Sequence, residues 1–279
     1  MQALDLAIRN FSVAEQLIQL EQLFADAAQH QPSPDYVVKL CAEMAIPPEA
    51  ALHHLKNPRT LVGIDGSVSV PSCLIAPKGL DFMLRQAVVV SCGALESFVW
   101  DILRENALTV IKARGRRADD TLKNITLTLD DYLSLEDYDD PDDRLRQIIL
   151  NRFERGSLYD LAKVDEIMQI LTVKNFWNQM AVKTGIPDKE IKSHLTELIQ
   201  RRNKIAHRAD RPDEGTPLHQ CDPHGLHPIT RAWTSSRVAT AKAFAHGAAE
   251  VVGEAIHLLE QIIAQQEEQK IAQETLSQP

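Results

Sequence analysis

One stretch combines side chains that suit a phosphodiester: Arg201-Arg202-Asn203-Lys204-Ile205-Ala206-His207-Arg208. Arg202 supplies a permanently charged, forked donor able to hold phosphate oxygens. His207 exchanges a proton near neutral pH. Asn203 both donates and accepts hydrogen bonds, and it stands four residues before His207, so a helix places the two on one face. Arg202 and His207 are five residues apart, which in a regular helix separates them by about 140° of rotation and ~7.5 Å of rise. They would therefore flank a cleft rather than touch, with the long arginine reaching round. A second copy of the chain across a two-fold axis would double the groups available, and symmetric dimers are the commonest oligomers. The same residue types also suit a helix C-terminus on structural grounds, because arginine and histidine offset the dipole and the free carbonyls.

Other groups carry weaker signals. Glu96 lies within a strongly apolar segment, where a carboxylate is costly unless paired. It is a candidate to orient His207 or meet Arg202, the alternatives being a solvent-facing position or a structural pair with Arg104. His219, Cys221, His224 and His227 are ligand types for zinc, but their spacing matches no zinc module and no metal is assigned to them. The basic string Lys112 to Arg117 reads as a solvated helix end. Gly63, Gly66 and Gly79 make no phosphate loop, since no Gly-Lys-Ser/Thr ending follows. Trp100, Trp177 and Trp233 read as core or interface residues rather than base-stacking platforms. No cofactor is implied.

The elements that must position these groups are helical almost throughout. Ser12 and Glu15 predict a capping box opening a helix over Ser12–Gln29, broken by Gln-Pro-Ser-Pro at 31–34. Two short helices are expected over Asp35–Ala45 and Pro48–Lys56, and Arg59–Lys78 reads as irregular or at most a short hairpin. A long helix apolar on more than one face runs from Leu80 to Lys112 and must be deeply buried. Shorter helices are expected over Arg144–Arg155, Leu158–Leu171 and Lys174–Lys183. Another opens after Pro187 and carries Ile191, Leu195, Leu198, Ile199 and Ile205 at helical spacing. A Pro-, Gly- and His-rich loop, Asp210–Pro228, leads to a last helix over Ser235–Gln269, whose small residues from Ala239 to Ala249 permit close helix–helix approach. The expected fold is all-α, a bundle of four or more helices over 79–270. Residues 1–78 form an additional N-terminal helical or irregular region, and 271–279 a disordered tail.

Bulk composition agrees. The chain is 44% hydrophobic but only 5% aromatic, and its abundant Ala, Leu and Gln favour helices. A formal net charge of −9 argues against a long basic nucleic-acid-coating surface. The charge is uneven: 130–143 holds eight acidic residues, read as a solvated face, and 201–211 holds five basic ones. That pattern fits an enzyme touching a few phosphates. Cys41, Cys73, Cys92 and Cys221 show no close pairing pattern, Asp5 and Arg9 interrupt any leader-like start, and no uninterrupted apolar run nears the ~20 residues of a membrane span. A reducing cytoplasm with free thiols and no membrane association is the expected setting.

Arg-Asn-Lys-Ile-Ala-His at the end of one helix, followed by another long helix, resembles the signature of the HEPN superfamily, Arg-x4–6-His with Asn often directly after the Arg. The stretch from Arg85 to Trp100 resembles the leading helix of such proteins. Within the superfamily the chain is similar to bacterial HEPN nucleases of toxin and anti-phage systems, over about Leu80–Gln266. The resemblance implies a HEPN-like bundle that forms a homodimer with both motifs lining one composite cleft, and RNA cleavage without a metal. His207 would act as general base toward the ribose 2′-hydroxyl or as acid toward the leaving oxygen. Arg202 would stabilise charge on the phosphorane, Asn203 would orient the histidine or bind a phosphate oxygen, and Arg201, Lys204 and Arg208 would contact RNA. Products would carry a 2′,3′-cyclic phosphate and a 5′-hydroxyl, which restricts the substrate to RNA because DNA lacks the nucleophile. An antitoxin or regulatory partner is implied for a toxic nuclease. The alternatives are a HEPN module that binds RNA or a protein without cutting, and an assembly subunit whose last helix docks a partner.

Overall fold

Apolar residues recur every three or four positions along most of the chain, and the computed structural model resolves that pattern into eight α-helices among the described residues: 2–29, 52–54, 62–64, 80–118, 126–153, 160–222 and 225–276. They are α1 (Gln2–Gln29), α2 (Asp81–Arg114), α3 (Leu129–Glu136), α4 (Pro141–Phe153), α5 (Ala162–Ile170), α6 (Phe176–Thr184), α7 (Asp188–Arg208) and α8 (Arg231–Leu276). Two short strands, β1 (Leu52–His54) and β2 (Val62–Ile64), pair antiparallel with Leu52 opposite Ile64 and His54 opposite Val62. Among the described residues the fold is all-α, with β1 and β2 as a short antiparallel strand pair.

Several boundaries differ from the sequence expectation, each for a physical reason. α1 begins at Gln2, so Ser12 and Glu15 lie mid-helix instead of capping it. Ala3, Ala7, Phe11, Ala14 and Ile18 are all buried, and this stripe continues the apolar face past the local cap signal. The Ala3 N–H, one of the unpaired donors of a helix start, donates to Glu105 Oε1 at 2.6 Å. Leu52–His54 is strand where a helix over Pro48–Lys56 was expected. A piece that short between prolines gains too few hydrogen bonds to offset helix nucleation, and cross-strand pairing satisfies its backbone instead. The expected helix over Asp35–Ala45 lies outside the described residues.

Helix α3 was not anticipated within the acidic run. Its signal is a Thr128/Asp131 capping box, with Asp131 N–H donating to Thr128 Oγ1 at 3.1 Å and Thr128 N–H to Asp131 Oδ2 at 2.9 Å. α4 starts at Pro141, three residues before the expected position. Proline suits a first helical residue, and Asp140 Oδ1 accepts from the Asp142 and Asp143 amides. α8 continues to Leu276, so 271–276 are helix where a disordered tail was expected.

The helices contribute to two compact units. The first comprises Met1–Ile8, Ala94–Thr196 and Thr240–Pro279, and the second Arg9–Gly93 and Glu197–Ala239. In the first, Leu95, Phe98, Ile102 and Leu103 of α2 are fully buried together with Ile167 and Met168 of α5, Met180 of α6 and Leu195 of α7. Phe176, Trp177 and Phe244 form an aromatic cluster with ring centroids 5.1 to 5.9 Å apart, and the indole N–H of Trp177 donates to Asp165 at 2.6 Å. Gly247 of α8 lets α6 approach closely, since a Cβ there would lie 2.9 Å from Met180 Cε. The small-residue stretch thus does what its composition suggested.

In the second unit, Phe11, Ala14 and Ile18 of α1, Leu84, Ala87 and Val88 of α2, Leu198 and Ile199 of α7 and Val238 of α8 make the core. The Cys92 thiol is buried and donates to the Leu198 carbonyl at 3.5 Å. Neither Cys92 nor Cys221 is in a disulfide, and Cys41 and Cys73 lie outside the described residues. By length and composition α2 could cross a membrane, yet more than half of its most apolar window is buried within the protein, as in a core helix.

Phe244 is fully buried against two aromatic rings, so Phe244→Ala should destabilise the fold by about 3–5 kcal/mol. Urea unfolding followed by circular dichroism measures this directly.

Candidate functional site

The second unit holds the arginine–histidine motif on the last two turns of α7. Ile191, Leu195 and Leu198 mark the inward face of this helix, and the same spacing continues to Arg202 and Ile205. Arg202 is accordingly half-buried, with its Nε out of solvent. Asn203 follows the Ile199 position and is also half-buried. Its Oδ1 is buried without a hydrogen-bond partner among the described residues. Lys204, His207 and Arg208 point away from the core and are exposed.

α7 ends by an uncommon turn. Ala209 and Asp210 both adopt left-handed backbone angles, φ 51° and 60°, at a cost of about 1–2 kcal/mol for each non-glycine residue. The Asp210 N–H closes back on the Lys204 carbonyl at 3.0 Å. This strained geometry carries the fully buried Asp210 carboxylate into a cluster of charges.

Arg85 Nε donates to Asp210 Oδ2 at 2.6 Å, and Arg85 Nη2 donates to Asp222 Oδ2 at 2.7 Å and to the His227 carbonyl at 2.8 Å. Arg201 Nη2 donates to the same Asp210 oxygen at 2.7 Å and to the carbonyls of His227 and Pro228 at 2.8 and 3.2 Å. The side chains of Arg85, Asp210 and Asp222 are 9%, 0% and 4% exposed, low enough for these ion pairs to act with little screening. Two arginines face two aspartates, so the cluster balances its own charge. Loss of solvent pulls the Arg201 guanidinium below its ordinary range, and the neighbouring Asp210 partly restores it.

The motif residues therefore part company. Arg201, expected to contact RNA, turns its donors inward to Asp210 and the loop carbonyls. Lys204 and Arg208 remain outward, although Arg208 also pairs with exposed Asp213 at 2.6 Å, an arrangement worth little in water. Glu96 belongs to the first unit, where it is half-buried on α2. Within the second unit Glu197 accepts from the Trp233 indole and from Arg237, tying the start of α8 to α7.

Sequence reasoning missed Arg85, Asp210 and Asp222. The signal was present for Arg85: a charge inside an apolar helix demands a partner, the same logic applied to Glu96. Arg85 is the more deeply buried of the two. Of the His219, Cys221, His224 and His227 run, His224 lies outside the described residues. Among the described residues no three His, Cys, Asp or Glu side chains gather to hold a metal ion.

His227 is held through its backbone, its N–H donating to the Asp210 carbonyl at 3.0 Å. Its imidazole titrates below the ordinary histidine value, first because it is partly withdrawn from water, then because Lys204 and Arg201 are close. Asp210 and Asp213 oppose that shift.

Asp210→Ala leaves the buried Arg85 and the part-buried Arg201 without their shared anion and should cost about 3–5 kcal/mol, measured by urea unfolding. The depressed His227 value means that the folded state prefers the neutral ring. The associated stability is complete above the unfolded value of about 6.5 and is lost as pH falls through the folded value. His227→Gln should therefore make the loss of stability between pH 7 and pH 5 shallower than in wild type.

A family model described as RiboL-PSP-HEPN matches residues 67–222. The match spans more than half of the chain and includes α2 through α7, the arginine–histidine motif, Arg85, Asp210 and Asp222. It ends before α8, which the sequence resemblance had included. No curated protein and no solved structure matches the chain. With its matched region centred on these helices and ending just past the motif, the chain belongs to the RiboL-PSP-HEPN family.

Proposed function

We propose that this chain is a metal-independent endoribonuclease in which Arg202 and His207 cleave RNA by attack of the ribose 2′-hydroxyl. The observation that carries this reading is the joint placement of Arg202, Asn203 and His207 on the final turns of a helix within the matched HEPN region, with His207 exposed to an incoming strand. Members of the family are often ribonucleases.

The chemistry needs few parts. His207 takes the 2′-hydroxyl proton as the oxygen attacks phosphorus. Arg202 offsets the charge that builds on the equatorial oxygens. The bond to the 5′-oxygen breaks, and that oxygen receives a proton from a second acid, supplied by His207 of a second copy or by water. Products are a 2′,3′-cyclic phosphate and a 5′-hydroxyl. Asn203 holds His207 or a phosphate oxygen from one turn below, and Lys204 and Arg208 meet neighbouring phosphates. A homodimer with a composite cleft would bring two motifs to one strand. In a cell the activity fits a cytoplasmic toxin or anti-phage effector, kept in check by an antitoxin or another regulatory partner.

Incubation with total RNA in excess EDTA tests the reading. Wild type should cut, leaving cyclic phosphate termini detectable by mass spectrometry. Arg202→Ala and His207→Ala should each lose at least ~10²-fold in rate, the usual scale for general acid–base and oxyanion-stabilising groups. Equal cleavage by the variants would point instead to a HEPN module that binds without cutting and to a contaminating nuclease.

A further inference from the structure

The loop from Asp210 to His227 is closed at its neck. Besides the His227 N–H to Asp210 carbonyl bond, Arg85 and Arg201 each grip both ends at once, through Asp210 Oδ2 on one side and the His227 carbonyl on the other. Asp222 ties the loop interior to the same point. Its second oxygen, Oδ1, accepts the Leu226 N–H at 2.8 Å, and its own N–H donates to the Leu226 carbonyl at 2.8 Å. The neck begins three residues after His207, and its first residue closes the last turn of α7 onto the Lys204 carbonyl. Arg85 reaches this neck from α2, 125 positions away in sequence.

We infer that Arg85 and Asp222 are positioning residues for the arginine–histidine motif: by clamping the loop neck they set the last turn of α7, and with it the placement of His207. This rests on the ribonuclease reading for its consequence in catalysis, though not for its structural content. A forked guanidinium is needed at Arg85, because three acceptors lie in two directions, and a lysine point charge cannot hold all of them in fixed geometry. Small displacements matter here, since ~1 Å at a reacting group can cost about 10²-fold in rate.

The test compares wild type with Arg85→Met, Arg85→Lys and Asp222→Asn in the full chain. Asp222→Asn keeps the side chain's shape and serves if Arg85→Met does not fold. Three quantities are read: amide hydrogen exchange by mass spectrometry, affinity for a 2′-O-methylated RNA pool that binds without being cut, and single-turnover cleavage of the unmodified pool. The expected result is exchange at 204–211 faster by ~10-fold or more, exchange in α5 and α6 unchanged, affinity within about threefold of wild type, and cleavage slower by ~10-fold or more. Arg85→Lys should fall between wild type and Arg85→Met. Unchanged exchange at 204–211, or exchange that rises equally everywhere, would overturn the inference by showing no role or a general stabilising one. If wild type itself does not cut, the ribonuclease reading fails, and the exchange pattern alone decides whether the clamp positions the motif.

Discussion

A buried carboxylate shared by two guanidiniums, Asp210 between Arg85 and Arg201, is the interaction on which the geometry of the second unit turns. Taking charges out of water is expensive, and attraction between them compensates only with close geometry and full hydrogen bonding. Here the geometry is close: Asp222 supplies a second anion, and the carbonyls of His227 and Pro228 accept from Arg85 and Arg201, while Arg201 Nε and Asp210 Oδ1 are buried without a hydrogen-bond partner among the described residues. Such a network is a poor way to gain stability compared with apolar packing. It is a good way to define one arrangement, because removing any member strands another charge. It also holds Ala209 and Asp210 in left-handed backbone that α7 would otherwise avoid.

That constraint separates two roles that adjacent residues in the motif could each have filled. Arg201 and Arg202 are neighbours with the same side chain, about 100° apart around a helix. One belongs to the clamp, and the other lies along the continuation of the α7 apolar face with part of its guanidinium out of solvent. His207, a further turn along, is exposed. Within the second unit the end of α7 is held by this charge network, and a helix end supported in this way frays less than a free one.

Several features follow from local physics and were legible in the chain itself. The period of Leu, Ile, Val and Ala residues dictates helices, since one face must be buried wherever it recurs at three to four positions. The long apolar α2, the α7 stripe running into the Arg-Asn-x3-His string, and the small residues of α8 all follow from that rule. Gly185 ending α6 with φ 69° is another local effect, because glycine reaches that backbone region without strain. Where local signals competed with burial, burial prevailed: the Ser12 and Glu15 cap signal yielded to the apolar stripe from Ala3 to Ile18.

The sequence by itself determined that the chain is helical, that it carries an arginine, an asparagine and a histidine on one helix end, and that these types suit a phosphodiester. Those properties depend on residues within a few positions of one another. Only the tertiary structure decided that Arg201 turns inward, that Arg85 and not Glu96 is the deeply buried charge on α2, and that Asp210 and Asp222 are its partners. The Arg85 pairings join residues more than a hundred positions apart where water is excluded, and Arg201 turns toward partners 9 to 27 positions away that meet it only because the loop folds back. The free energy of a buried charge is set by its surroundings in space, and neighbours in the chain do not specify them.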